Sequence, residues 1–242
     1  MGSRRIAAFV AGLSVAVVSA VAVLDAAAQR SDDVAAPKPA AGETLIYADF
    51  EKADGARAVS TRGGAITITS YQESDVHKTT TKGVPSGENS PERVHVKAGD
   101  ANHLGKIEFA FMAPNSWAGA TIEIKGQPDA DGKAPADDVT GYKKISFQLY
   151  ATGAEMVRVE AVSRGYGLDM NGGWPKLEFK VRPGLNTYEV ALRSLAVPAW
   201  VEAKPDPKKL LAKLTALNIT AFCEPCRPTQ GILLVDNVTF EK

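Results

Sequence analysis

The chain has 242 residues, with 28 basic and 28 acidic side chains, so its formal net charge is zero. That balance excludes the basic footprint of a nucleic-acid binder. The length suits one all-β domain plus an export segment. Aromatic residues make up 7% of the chain, a modest supply for a protein that would stack on sugars.

Arg4-Arg5 open a basic stretch, Ile6 to Leu24 is apolar, and Ala26-Ala27-Ala28 offers small residues for cleavage before Gln29. This three-part pattern predicts a signal peptide over 1–28 and a periplasmic or secreted mature protein. The apolar run is about as long as a membrane span, so an uncleaved anchor is the alternative and would be the only route to the membrane. Residues 29–43 carry two prolines and little apolar bulk, which reads as an Ala/Pro-rich linker.

Residues 44–242 read as the folded domain. Leu45 to Glu51 is the first strand and Ala65 to Thr69 the second, the latter with period-two alternation. Residues 72–91 are polar, with Gly83, Pro85, Gly87 and Pro91, and read as a long loop. Short strands follow at Arg93–Val96, Lys106–Met112 and Trp117–Ile124. The loop over 126–138 contains Asp129-x-Asp131-Gly132, which resembles the opening of a calcium loop but lacks its later ligands, so a solvated turn is the simpler reading.

Tyr142–Tyr150, Glu155–Arg164, Lys176–Val181 and Asn186–Leu192 alternate cleanly between apolar and polar positions. Asp206 and Pro207 predict a short capped helix over Pro207–Leu214. Leu217–Phe222 and Gly231–Lys242 close the chain as strands. Within the last, Asp236 is a carboxylate in a buried strand and needs a partner. Regularly spaced short strands with turn signals between them predict a two-sheet jelly-roll β-sandwich.

Cys223 and Cys226 form a C-x-x-C at a proline-marked turn. Export favours a local disulfide; free thiols, redox chemistry and metal binding are the alternatives. His77, His95 and His103 lack ligand spacing and read as surface residues. Trp117 and Trp200 read as packing residues.

The outward positions of the alternating strands, Gln148, Tyr150, Arg158, Glu160 and Arg164, with Tyr166 and Asp169 beyond them, offer one polar and aromatic face for a ligand. A solvated sheet surface, with Arg158 and Glu160 pairing across strands, explains the same pattern. Trp174, in Asn171-Gly172-Gly173-Trp174-Pro175, is a further candidate because a Gly-rich loop can present a Trp. No Glu-x-Asp-x-Glu strand, His-x-His pair, Gly-x-Ser-x-Gly elbow or phosphate loop occurs.

The order of Tyr47-Ala-Asp-Phe-Glu51, Asp138-Val-Thr-Gly-Tyr-Lys-Lys-Ile-Ser-Phe147, Pro183-Gly-Leu-Asn-Thr-Tyr-Glu-Val190, Pro198-Ala-Trp200 and Val235-Asp-Asn-Val238 resembles the galactose-binding-like jelly roll. The nearest kin in pattern are carbohydrate-binding modules of the family-eleven type and the complex I intermediate-associated protein thirty-like domain. The resemblance covers about residues 44–242. It implies a structural calcium ion held by Asp49, Glu51 and Asp236, and a β-glucan-like polysaccharide or oligosaccharide lying on the outer face of one sheet. A non-catalytic carbohydrate binder is therefore the leading expectation. A periplasmic scaffold that binds another envelope protein, and a cryptic jelly-roll lyase or hydrolase, are the alternatives.

Overall fold

The computed structural model describes residues 44–55, 57–71, 79–82, 90–97, 99–124, 135–165, 170, 172–223 and 227–242. The predicted signal peptide and linker lie outside these residues, as do the Asp129-x-Asp131 loop, Tyr166, Asp169 and Cys226.

The strands in chain order are β1 (Thr44–Ala48), β2 (Ala53–Asp54), β3 (Arg57–Ala58), β4 (Ile66–Tyr71), β5 (Thr80–Lys82), β6 (Glu92–His95), β7 (His103–Phe111), β8 (Ser116–Glu123), β9 (Lys144–Ala151), β10 (Met156–Val162), β11 (Lys176–Lys180), β12 (Asn186–Ala191), β13 (Ala216–Cys223) and β14 (Thr229–Glu241). They build two antiparallel sheets. One has the order β12-β9-β14-β7-β5, with β1 added on β14 and β6 on β7; the other has the order β11-β10-β13-β8-β4. The two short strands β2 and β3 pair only with each other.

Period-two alternation explains why the sheets face each other. Ile107, Phe109 and Phe111 of β7, Ile145, Phe147 and Leu149 of β9, and Leu233 and Val235 of β14 turn to one side. Ala118, Ala120 and Ile122 of β8, Val157 and Val159 of β10, and Leu217 and Ile219 of β13 turn to meet them in one core. The fold is thus a β-sandwich, as the alternation predicts.

Three local expectations change. The long loop expected over 72–91 contains β5, whose Thr80 to Lys82 pair with Ala110 to Glu108 of β7. Three consecutive threonines suit a strand once an edge is there to receive them. The predicted helix is one turn, α1 (Pro207–Leu211), with the Asp206 carboxylate accepting from the Lys208 amide at 3.0 Å. It stops early because Leu214 exchanges backbone hydrogen bonds with Asp137 (2.9 and 3.0 Å), which holds the next residues extended. Trp200 is 60% exposed and is not a packing residue.

Candidate functional site

The outer face of the five-stranded sheet is organised in rows across the strands. Tyr71 of β4 lies opposite Trp117 of β8, and Trp117 opposite Phe222 of β13. The Tyr71 and Trp117 rings stack at 5.8 Å with 21° between their planes. Tyr71 is 48% exposed, so the pair forms an aromatic platform at one edge of the face. At its inner end the Arg158 guanidinium lies 4.6 Å above the Phe222 ring.

Polar rows follow. Thr220 separates Gly119 from Arg158, and Arg158 lies opposite Glu178 of β11, which it grips through Nε at 2.9 Å and Nη2 at 2.8 Å. In the next row Thr121 donates to Asn218 Oδ1 at 2.9 Å, and Asn218 Nδ2 donates to Glu160 at 3.0 Å. Beyond it, Glu123 lies opposite the small Ala216, with Arg164 Nη1 3.5 Å from its Oε1. Burial raises the pKa of the Glu123 carboxyl above the ordinary value, and the Arg164 charge offsets only part of that rise. Glu123 Oε2 and Thr220 Oγ1 are buried without a hydrogen-bond partner.

A second polar site forms where β14 changes partners. Residues Thr229 to Val235 pair with β7, and Val238 to Glu241 pair with β1. Asp236 and Asn237 occupy the gap, where the ladder to β9 also shifts register and Asn237 takes φ 49°. Asp236 Oδ2 accepts from Asn102 Nδ2 and Asn237 Nδ2, both at 2.9 Å, while Oδ1 is buried and unpartnered.

Burial pushes the Asp236 carboxyl up to about 7; the bonds from Asn102 and Asn237 oppose the rise, and the charges of Glu51 and Asp49 add to it. Glu51 itself accepts from the His103 amide at 2.6 Å and lies 2.9 Å from His103 Nδ1. Burial pushes Glu51 up, but these bonds and the nearby His103 and Arg93 outweigh it and leave its pKa below the usual range. Between Asp49 and Glu51, Phe50 takes φ 54°, and Arg93 holds the Phe50 and Glu51 carbonyls at 2.7 and 3.0 Å.

The fold is similar to carbohydrate-binding modules of families 11 and 30. The family 11 module of a cellulosomal cellulase from Clostridium thermocellum aligns with TM-score 0.46 and 14% identity over 84% of this chain and 96% of that one. The family 11 module from the same organism in complex with a β-1,3-1,4-mixed-linked tetrasaccharide gives 0.45 and 15% over 84% and 97%. A family 30 module of another Clostridium thermocellum cellulosomal cellulase gives 0.41 and 9% over 64% and 83%. No family model matches the sequence, and no curated protein matches it.

The residues predicted from sequence for one face are divided between two. Gln148 and Tyr150 belong to β9 of the seven-stranded sheet, where Gln148 lies opposite Asp236 and Tyr150 opposite Leu234. Arg158 and Glu160 belong to β10 of the other sheet and, with Arg164, join the polar floor. Trp174 packs against Met170, Val201 and Leu210 rather than standing on its loop. Arg158 pairs chiefly with Glu178 across the strands and lies 3.8 Å from Glu160.

Tyr71, Phe222, Asn218, Thr220 and Glu123 are not among the residues expected from the sequence, and Trp117 is expected there as a packing residue. The signal was there in β8, where Trp117, Gly119, Thr121 and Glu123 alternate with Ala118, Ala120 and Ile122. His95 is exposed and His103 half-buried; their ring centres lie 4.1 Å apart, and His103 Nδ1 lies 2.9 Å from Glu51. Among the described residues no three His, Cys, Asp or Glu side chains form a ready-made metal cluster. Asp49, Glu51 and Asp236 nevertheless approach closely enough for the first two to raise the Asp236 pKa. Cys223 is buried at the end of β13, while its predicted partner Cys226 lies outside the described residues.

Proposed function

We propose that the outer face of the five-stranded sheet is a non-catalytic carbohydrate-binding surface. The exposed Tyr71 ring stacked on the half-buried Trp117, beside a floor of polar side chains, carries this reading. Aromatic rings cover the apolar face of a sugar ring, and carboxylate, amide and guanidinium groups take its hydroxyls. β-Glucan-like polysaccharide is the glycan class proposed, and the setting proposed is periplasmic or extracellular, from the basic-apolar-small pattern of residues 1–28.

The test is affinity electrophoresis of the purified protein through gels containing soluble polysaccharides, mixed-linked β-glucan among them. Retardation that weakens about tenfold in Tyr71→Ala or Trp117→Ala, a loss of ~1.4 kcal/mol, is expected. Tyr150→Ala, on the opposite sheet, is expected to migrate like the parent protein. Retardation lost with Tyr150 and kept without Trp117 would move the site to the other face. No retardation in any gel would shift the function toward binding an envelope protein.

We also propose calcium at the chain-end carboxylates. The support is the buried, unpartnered Asp236 Oδ1 together with Asp49 and Glu51, an all-oxygen donor set that suits a hard cation. Glu51 would have to exchange its His103 bonds to take part. A melting temperature that falls on adding chelator is the signature to look for. A Cys223–Cys226 bridge is proposed from their spacing and the exported setting, and counting thiols under denaturing conditions decides it.

A further inference from the structure

Antiparallel pairing of β6 and β7 sets His95 directly opposite His103. Side chains opposite each other on neighbouring strands share one face, and here the two imidazoles have ring centres 4.1 Å apart with 43° between their planes. Each ring is anchored through the same nitrogen. His95 Nδ1 lies 3.2 Å from the Asn102 carbonyl oxygen, and His103 Nδ1 lies 2.9 Å from Glu51 Oε2. A carbonyl or carboxylate oxygen can only accept, so both Nδ1 atoms carry the proton and donate it. In the neutral rings that leaves each Nε2 with its lone pair. Glu51 also accepts from the His103 amide through Oε1 at 2.6 Å, so one carboxylate fixes both the backbone and the ring of His103.

We propose that His95 and His103 bind one divalent late transition-metal ion, copper(II) above all, through their Nε2 atoms. An imidazole whose Nδ1–H is held by a carbonyl or a carboxylate is the form in which histidine ligates metals, because that bond sets the tautomer and the ring orientation and raises the basicity of the other nitrogen. Two imidazoles that share an ion ~2.0 Å from each nitrogen have ring centres roughly 4–5 Å apart, so the pair closes on an ion with little movement. His95 is exposed and the His103 side chain keeps 23% of its surface, so the pair is open to solvent. Among the described residues no third His, Cys, Asp or Glu joins them in a cluster, and water fills the remaining positions on the ion. Nitrogen donors select against calcium and magnesium, and the affinity of such a site peaks at copper(II) among the divalent ions. The pair is therefore chemically distinct from the all-oxygen donor set proposed for calcium, although Glu51 adjoins both.

The experiment is titration of copper(II) chloride into the purified protein, free of any histidine tag and in calcium-free buffer, followed by calorimetry and by electron paramagnetic resonance. A copper species with micromolar affinity and the hyperfine pattern of two imidazole nitrogens is expected. His95→Ala and His103→Ala are each expected to weaken binding about tenfold or more and to remove the two-nitrogen pattern. Glu51→Gln is expected to weaken binding while keeping that pattern, which marks Glu51 as a positioning residue and not a ligand; full affinity in this variant removes that role. Cys223, Cys226 and His77 are unchanged in all three variants, so any copper they hold is common to all and cannot produce the difference. His95 is exposed, so His95→Ala keeps the fold, checked by an unchanged melting temperature without metal. Affinity and spectrum unchanged in either histidine variant, or a parent protein that shows no two-nitrogen species, overturn the proposal.

Discussion

Asp236 has no exposed surface, yet it lies within a thirteen-residue strand otherwise made of apolar and ladder positions. It lies where β14 passes from β7 to β1 as its partner. Its pKa, pushed up from 3.8 to about 7, makes the folded protein bind a proton more tightly than the unfolded chain does. The stabilising contribution is therefore full below about pH 4 and is lost as the pH rises through 7. It amounts to ~4 kcal/mol at most for a shift of about three pH units. With chelator present, the melting temperature is expected to fall between pH 5 and pH 8, and Asp236→Asn is expected to flatten that fall. Calcium is expected to restore the loss at pH 8 in the parent protein and not in Asp236→Asn. A flat profile in the parent protein, or a calcium response retained by the variant, would remove Asp236 from this role.

At the scale of elements, alternation made most strands legible, since each buries one face and wets the other. What it could not show was which sheet a strand joins. β9 and β10 are neighbours in sequence, separated by Thr152 to Glu155, yet they lie in opposite sheets. Gly153 at φ 70° turns the chain between the two layers, and a Cβ there would come within 2.1 Å of the Gln230 carbonyl oxygen. Consecutive strands often lie side by side, so Tyr150 and Arg158 were read as one face, and the sandwich topology separated them. The row that holds Thr121 and Asn218 is hidden in the sequence for a related reason. It exists only because β8 and β13 become adjacent through tertiary pairing: Thr121 and Asn218, which bond across these strands, are 97 residues apart in the chain. The same topology sets an order of stability. β13 and β14 have partners along both edges, whereas β5 and β11 lie at sheet ends. Amide hydrogen exchange followed residue by residue is expected to be slowest in β13 and β14 and much faster in β5. Equal protection across these strands would contradict the partition.

At the scale of the molecule, the first described strand and the last share one ladder. Thr44 lies opposite Glu241 and Leu45 opposite Phe240. Phe240 is fully buried, with its ring 4.7 Å from Tyr47 and 6.0 Å from Tyr142, so one side chain near the end of the chain joins β1, β14 and the approach to β9. Phe240→Ala is expected to cost ~3–5 kcal/mol, measured by denaturant unfolding. A loss below about 1 kcal/mol would show that this seam is not part of the cooperative core.

The pairing of β1 with β14 also decides how the fold meets a mechanical load. Because the strands are antiparallel and Thr44 faces Glu241, tension applied through both ends of the fold acts at the same end of the pair. The force then peels the hydrogen bonds apart one after another, like a zipper, instead of shearing them all at once. Pulled from both ends, the pair would open first at Thr44 and Glu241 and reach the neighbourhood of Asp236 last.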